Sequence, residues 1–318
     1  MDNFQGPGGT QRPNREALLK QALNAERRKT LIRAFRLFFL PLAFGCLCYF
    51  VWGARHTLIS VFGSARVTYL AAAIAGWCMV HLMAAAFAVA ALNGCGARIG
   101  YAAALRIHVL NLPARYLPGG IWHTVGRVAD FAGQGVGRRQ LTAFVLLENA
   151  LAAAVTLMFG GASVWHFHAT QEWGEIALLG ALGGALALSL IPILFRRSAL
   201  AELSPAAYVK MVSAMLIFWL VAATTFVLFS YSFPNVIDST SFPEVGGAYL
   251  FSWGVGYIAF FAPQGLGIFE AVAGSVLRSA LSFGELVSVV VGFRMVVLFA
   301  DVITWGIGVI VWGMRQKG

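Results

Sequence analysis

The chain predicts an all-α, polytopic membrane protein with about six full transmembrane helices and two helix–break–helix segments. Three observations carry that expectation. Hydrophobic residues make up 59% of the chain and charged residues only 11%, with a mean hydropathy of +0.76, a composition that belongs to the membrane class. Apolar runs of about 20 residues, long enough to cross a hydrocarbon core of about 30 Å, recur along it. Two further apolar stretches are interrupted, one by Pro118-Gly119-Gly120 and one by Pro263-Gln264-Gly265.

Taken in order, residues 1–30 read as a cytoplasmic tail and 31–318 as a single membrane domain. The first 13 residues are polar and rich in Gly and Pro, a composition that favours disorder. Asn14 to Lys29 then carries a cap, an i,i+4 pair of Glu16 and Lys20, and a Leu18-Leu19-Leu23 stripe, the pattern of a surface-lying amphipathic helix. No signal peptide is expected, because the first long apolar run begins near Phe35. Full spans are expected at 34–54, 67–92, 141–165, 175–195, 211–233 and 285–313, and interrupted segments at 99–126 and 247–281.

The net charge of +10 does not point to nucleic acid, because the basic residues sit beside the spans, where they set topology and meet anionic headgroups. Arg12, Arg15, Arg27, Arg28 and Arg33 precede the first span. Arg98, Arg106, Arg115, Arg127, Arg138 and Arg139 follow the second, and Arg196, Arg197 and Lys210 the fourth. The 166–174 and 234–246 loops contain neither Lys nor Arg. Both termini are therefore expected in the cytoplasm, together with 93–140 and 196–210. The two interrupted segments then start from opposite faces, which makes them a candidate inverted repeat.

The four cysteines show no metal spacing and read as packing residues. Gly180 and Gly184 offer a small face for close helix contact. Trp52, Trp77, Trp122, Trp165 and Trp173 fit interfacial belts, and His108 and His123 the interface.

Chemistry concentrates around the breaks. Non-helical backbone at membrane depth persists only where it is buried in protein or faces water, and an ionisable group there marks a candidate site. Arg115 and Arg127 flank the first break, while Glu148, followed by Asn149, lies inside the next apolar run. Glu270 follows the second break, and Arg294 and Asp301 lie seven residues apart on the last span. Glu148 and Glu270 are the expected partners of Arg294. A guanidinium fork matches phosphate oxygens, and a Pro-Gly-Gly break leaves backbone N–H groups at the following helix start. The expected substrate-binding set is Arg115, Pro118, Gly119, Gly120, Arg127, Glu148, Asn149, Pro263, Gly265, Gly267, Glu270, Arg294 and Asp301. An internal ion-pair network that only holds the bundle together is the competing reading of the same residues. The sequence has no HExxH, GxSxG or Walker pattern, so no catalytic residue, metal or cofactor is expected.

RYLPGGIW (115–122), Arg127, LLEN around Glu148, APQGLGIFE (262–270) and Arg294 together resemble the membrane region of the lysylphosphatidylglycerol synthase/flippase family. The resemblance spans residues 30–315. It departs from the family at PQGLG, where a second glycine would be expected. It implies a stand-alone flippase-like protein, without the synthase domain, in the cytoplasmic membrane of a prokaryote. The implied substrate is a phospholipid or a polyprenyl-phosphate-linked sugar, and the implied partner a glycosylation or lipid-modifying enzyme. Two other readings are a lipid-linked glycosyl- or phospho-transferase and a non-transporting subunit of an envelope assembly complex.

The topology is testable by labelling single cysteines from outside intact cells in a cysteine-free background. Cysteines replacing Arg12, Arg138 or Arg197 should resist labelling, and those replacing Gln171 or Asp238 should react. The reverse pattern would overturn the orientation.

Overall fold

A computed structural model describes Trp52, Gly63 and residues 65–117, 121–170, 172–197, 203–233, 240–258, 268–277 and 283–314. Among them all regular structure is helical: α1 Val67–Gly94, α2 Tyr101–Leu110, a 3-10 turn Leu112–Tyr116, α3 Trp122–Gly133, α4 Arg138–His168, α5 Gly174–Arg197, α6 Pro205–Ser230, α7 Phe242–Ile258, α8 Ile268–Leu277 and α9 Phe283–Met314. Five of these are long and apolar enough to cross a membrane: α1, α4, α5, α6 and α9. They coincide with five of the six expected full spans. The expected span at 34–54 (Trp52 aside) and the amphipathic helix lie outside the described residues.

The interrupted segments resolve into shorter pieces. The first comprises α2, the 3-10 turn and α3, and α3 runs on to Gly133, seven residues past the expected end at 126. The second is α7, of 17 residues, followed by α8, of 10. At 1.5 Å per residue α2, α3 and α8 extend only about 15–18 Å, roughly half of a hydrocarbon core. Both Pro/Gly breaks lie outside the described residues.

Local chemistry explains where the helices stop. Pro113 has no N–H to offer the carbonyl four residues back, so the α2 ladder cannot continue through it. The backbone tightens instead, with Ala114 donating to the Asn111 carbonyl at 3.1 Å. Gly96 and Gly135 both have φ of +86°, the left-handed conformation that ends α1 and α3 at low steric cost. Asn93 then clasps the next loop, accepting from Ile99 N–H at 2.8 Å and donating to the Ile99 carbonyl at 3.0 Å. Ser204 caps α6 by accepting from Ala207 N–H at 3.1 Å. Inside α5, Pro192 deprives the Leu188 carbonyl of its usual donor. The Tyr208 hydroxyl of α6 supplies the replacement at 2.6 Å.

Asn111 fixes the angle between α2 and α3. Its amide donates to the Ile107 carbonyl and to Asp130 Oδ2, both at 2.8 Å. Gly126 lies directly against it, where any Cβ would collide with the amide. A glycine is therefore required for α3 to approach this closely.

Small residues also seat the long helices. Lipid tails are as apolar as leucine, so membrane helices associate through close packing rather than through water exclusion. A Cβ on Gly184 of α5 would stand 2.5 Å from the Ala154 carbonyl of α4, and one on Gly161 of α4 would strike α5 at Ala177 and Ala181. The small face expected at Gly180 and Gly184 is thus a helix seam. On the other side of α4, Gly160 lies against the Leu250–Phe251 backbone of α7, and Gly254 of α7 against Leu157. Between α6, α7, α8 and α9 an aromatic core forms. Tyr249 stacks on Phe226 with centroids 4.8 Å apart, and Phe293 meets Phe226 edge-on at 5.0 Å.

Gly160→Ala should cost about 1–3 kcal/mol, the usual penalty of overpacking. Gly183→Ala, which meets nothing within 4 Å, should be neutral or slightly stabilising. Thermal unfolding of the purified variants measures both, and equal shifts would contradict the seam.

Candidate functional site

The site is organised on Asp301, a carboxylate of α9 with 1% exposure. A charge so placed in an apolar bundle persists only if its oxygens are met by donors. Oδ1 accepts from the Trp77 indole N–H at 3.0 Å and faces His81 Nε2 at 3.0 Å. Oδ2 accepts from the Tyr116 hydroxyl at 2.8 Å and from Arg115 Nη1 at 3.1 Å. Trp77 and His81 are four residues apart and so share one face of α1. Arg115 and Tyr116 end the 3-10 turn that Pro113 enforces. Three segments distant in sequence therefore meet at one side chain.

From His81 a line of imidazoles leads away. Its Nδ1 lies 3.1 Å from His108 Nε2 on α2. The His108 ring then meets that of His123, on α3, edge-on at 5.2 Å.

A second ion pair joins α3 to α4. Arg127 Nη2 reaches both oxygens of Glu148, at 2.7 and 2.8 Å. Its guanidinium carbon sits 4.9 Å from the centre of the Phe144 ring. Phe144 and Glu148 are one turn apart on α4, so ring and carboxylate form a single receptor for the cation. The two pairs share a neighbourhood: Tyr257, near the end of α7, lies within electrostatic range of Arg115, Arg127 and Glu148. Arg294 of α9 lies within range of Tyr116 and Tyr249.

Arg115, Arg127, Glu148, Arg294 and Asp301 lie in one neighbourhood, with Arg127 on Glu148 and Arg115 on Asp301. Glu148 was one of two expected partners of Arg294, with Glu270, and it holds Arg127. The reason lies in the reach of α3: it continues to Gly133 and carries Arg127 onto the α4 face. Asn149 does not join the cluster. It is exposed, a helical step of about 100° from Glu148, and its amide donates to the Val145 carbonyl of its own helix at 2.8 Å. Pro118, Gly119, Gly120, Pro263, Gly265 and Gly267 lie outside the described residues, as does the side chain of Glu270 on α8.

Two expectations from single residue types are corrected. Trp77 is not part of an interfacial belt: it is 4% exposed and donates to Asp301. His108 is 6% exposed and packed inside the cluster, with His123 against it, rather than placed at the interface. The sequence reading also passed over His81 and Tyr116. For His81 a signal existed, since an imidazole in the middle of a 28-residue apolar helix meets the same criterion that singled out Glu148.

No protein-family model matches the chain, and a search of curated proteins also finds no match. The functional reading therefore stands on the site itself and on the motifs that carry the family resemblance.

Proposed function

We propose that this protein moves a phosphate-bearing lipid, a phospholipid or a polyprenyl-phosphate-linked sugar, across the cytoplasmic membrane, with both termini in the cytoplasm. The resemblance to the flippase region of lysylphosphatidylglycerol synthases implies such a substrate. The observation that carries the reading is the unequal burial of the two arginines. The Arg127 side chain is 5% exposed and closed against Glu148, whereas Arg115 is 27% exposed while its carboxylate is 1% exposed. Arg115 is the more accessible of the two cations, as Glu148, at 22% exposure, is the more accessible of the two carboxylates.

A phosphate arriving there offers oxygens that fit a guanidinium. Asp301 balances the arginine when no ligand is present, so the cation is never left in an apolar medium without a counter-charge. Exchanging one anion for another moves a charged headgroup through the bundle without the full desolvation cost of a bare ion. The acyl or prenyl tails stay in the surrounding lipid. In this reading α2–α3 and α7–α8 are helix–break–helix segments entering from opposite faces, consistent with the half-span lengths of α2, α3 and α8. Their breaks bring backbone polar groups to the headgroup path.

The test uses purified protein in liposomes carrying a panel of fluorescent phospholipids and lipid-linked sugars, with a quencher added from outside. The parent protein should accelerate translocation of at least one phosphate-bearing lipid. Arg115→Lys keeps the charge but loses the fork, and it should slow that transport about tenfold or more, as expected when a charge-assisted hydrogen bond of about 1.5–3 kcal/mol is lost. Its thermal midpoint should stay close to the parent's. No acceleration by the parent, or a loss of activity that only tracks a loss of stability, returns the cluster to a structural ion-pair network.

A further inference from the structure

We propose that Asp301, His81 and His108 form a buried proton relay, a function the paired arginines do not require. Three ring nitrogens in this line, His81 Nε2, His108 Nδ1 and His123 Nε2, are buried without an aligned hydrogen-bond partner among the described residues. His81 Nε2 stands 3.0 Å from Asp301 Oδ1 in an ion-pair contact that lacks the alignment of a hydrogen bond, and the carboxylate's charge favours the tautomer that carries its proton on this nitrogen. Nδ1 is then an acceptor, and across 3.1 Å the donor must be His108 Nε2–H. That leaves His108 Nδ1 with a lone pair, buried and without a hydrogen-bond partner among the described residues. An unpaired acceptor at such a place marks where a proton can enter. His123, whose Nε2 is likewise buried without a partner, packs edge-on against the same ring.

The transfer balances. A hydronium ion gives a proton to His108 Nδ1 and leaves as water, and the proton on His108 Nε2 passes to His81 Nδ1. His108 is then neutral in its other tautomer, and His81 is an imidazolium held against the Asp301 carboxylate. One proton enters and one positive charge appears, so Asp301, Arg115 and His81 together change from net zero to net +1. The groups facing the relay are Arg115 and Tyr116 from the 3-10 turn and His123 and Arg127 from α3, with Arg294 of α9 in range of Tyr116 and Glu148 of α4 on Arg127. The packed helix α6 has Lys210 as its only charged residue, and that residue is exposed. Asp301 keeps its charge through this step because Trp77, Tyr116 and Arg115 still donate to it. The surplus charge favours an anion beside Arg115. This last clause alone rests on the transport reading; the relay does not.

Nitrogen-15 NMR of the full chain in detergent, with labelled histidine, tests the relay without any lipid substrate. The His81 resonance is identified by its disappearance in His81→Gln. At equal pH its imidazolium signature should be weaker in Asp301→Asn than in the parent. Proton exchange at His81 should slow at least tenfold in His108→Phe, and free imidazole should restore it, a rescue that a purely structural role does not predict. His108→Gln gives the same reading if the Phe variant fails to fold, and the exposed His166→Gln should change nothing. A His81 signal indifferent to Asp301→Asn, or one whose exchange rate ignores His108, overturns the relay. Either result stands whether or not lipid is transported.

Discussion

A single carboxylate in the wrong dielectric constrains much of this molecule. Asp301 has almost no exposure, and an unpaired charge at that depth would cost several kcal/mol. Its oxygens are instead met from α1 and from the 3-10 turn after α2. Each donor fixes a backbone element. Trp77 and His81 set the rotation of α1, and Arg115 and Tyr116 hold the approach to the first Pro/Gly break against α9. The polar site and the packing of these elements are therefore one problem with one solution. Removing a partner would damage both, so activity and stability must be measured together.

The rest of the bundle holds by a different means. Helices α4, α5 and α7 meet through glycines and small side chains that let backbones touch, while α6 to α9 interlock through rings. Within this frame α2 and α3 are short, and to their apolar contacts, Phe131 on Phe144 among them, they add polar ties. They are tied by Asn111 to Asp130, by Arg127 to Glu148, and by the histidines to α1. Polar ties can be re-formed with a ligand or a proton, whereas glycine seams cannot rearrange without separating helices. That division of labour puts the exchangeable interactions next to the accessible face of Arg115.

The sequence made the long helices legible because span length and apolarity are local properties: α1, α4, α5, α6 and α9 stand where the hydropathy puts them. It also singled out Arg115, Arg127, Glu148, Arg294 and Asp301, because an ionisable group in an apolar run is conspicuous by itself. Pairing was not legible. Which carboxylate meets which arginine depends on where α3 ends and on the turn that Pro113 forces, and both are set by contacts far away in sequence. For a related reason His81 carries no sequence signal of a partner, and Trp77 reads as an interfacial residue. A histidine or tryptophan in a span is compatible with packing, and only the position of α9 turns these two into ligands of a carboxylate.

The account makes Asp301 the clamp that holds the α2–α3 segment against α1 and α9. Amide hydrogen exchange, followed by mass spectrometry on the parent and on Asp301→Asn in the same detergent, measures this directly. The amide side chain keeps the shape but loses the charge, so exchange should quicken in residues 111–126 while α4 and α5, joined by their glycine seam, remain as protected as in the parent. Unchanged protection of 111–126, or a loss spread evenly over all helices, would contradict the clamp.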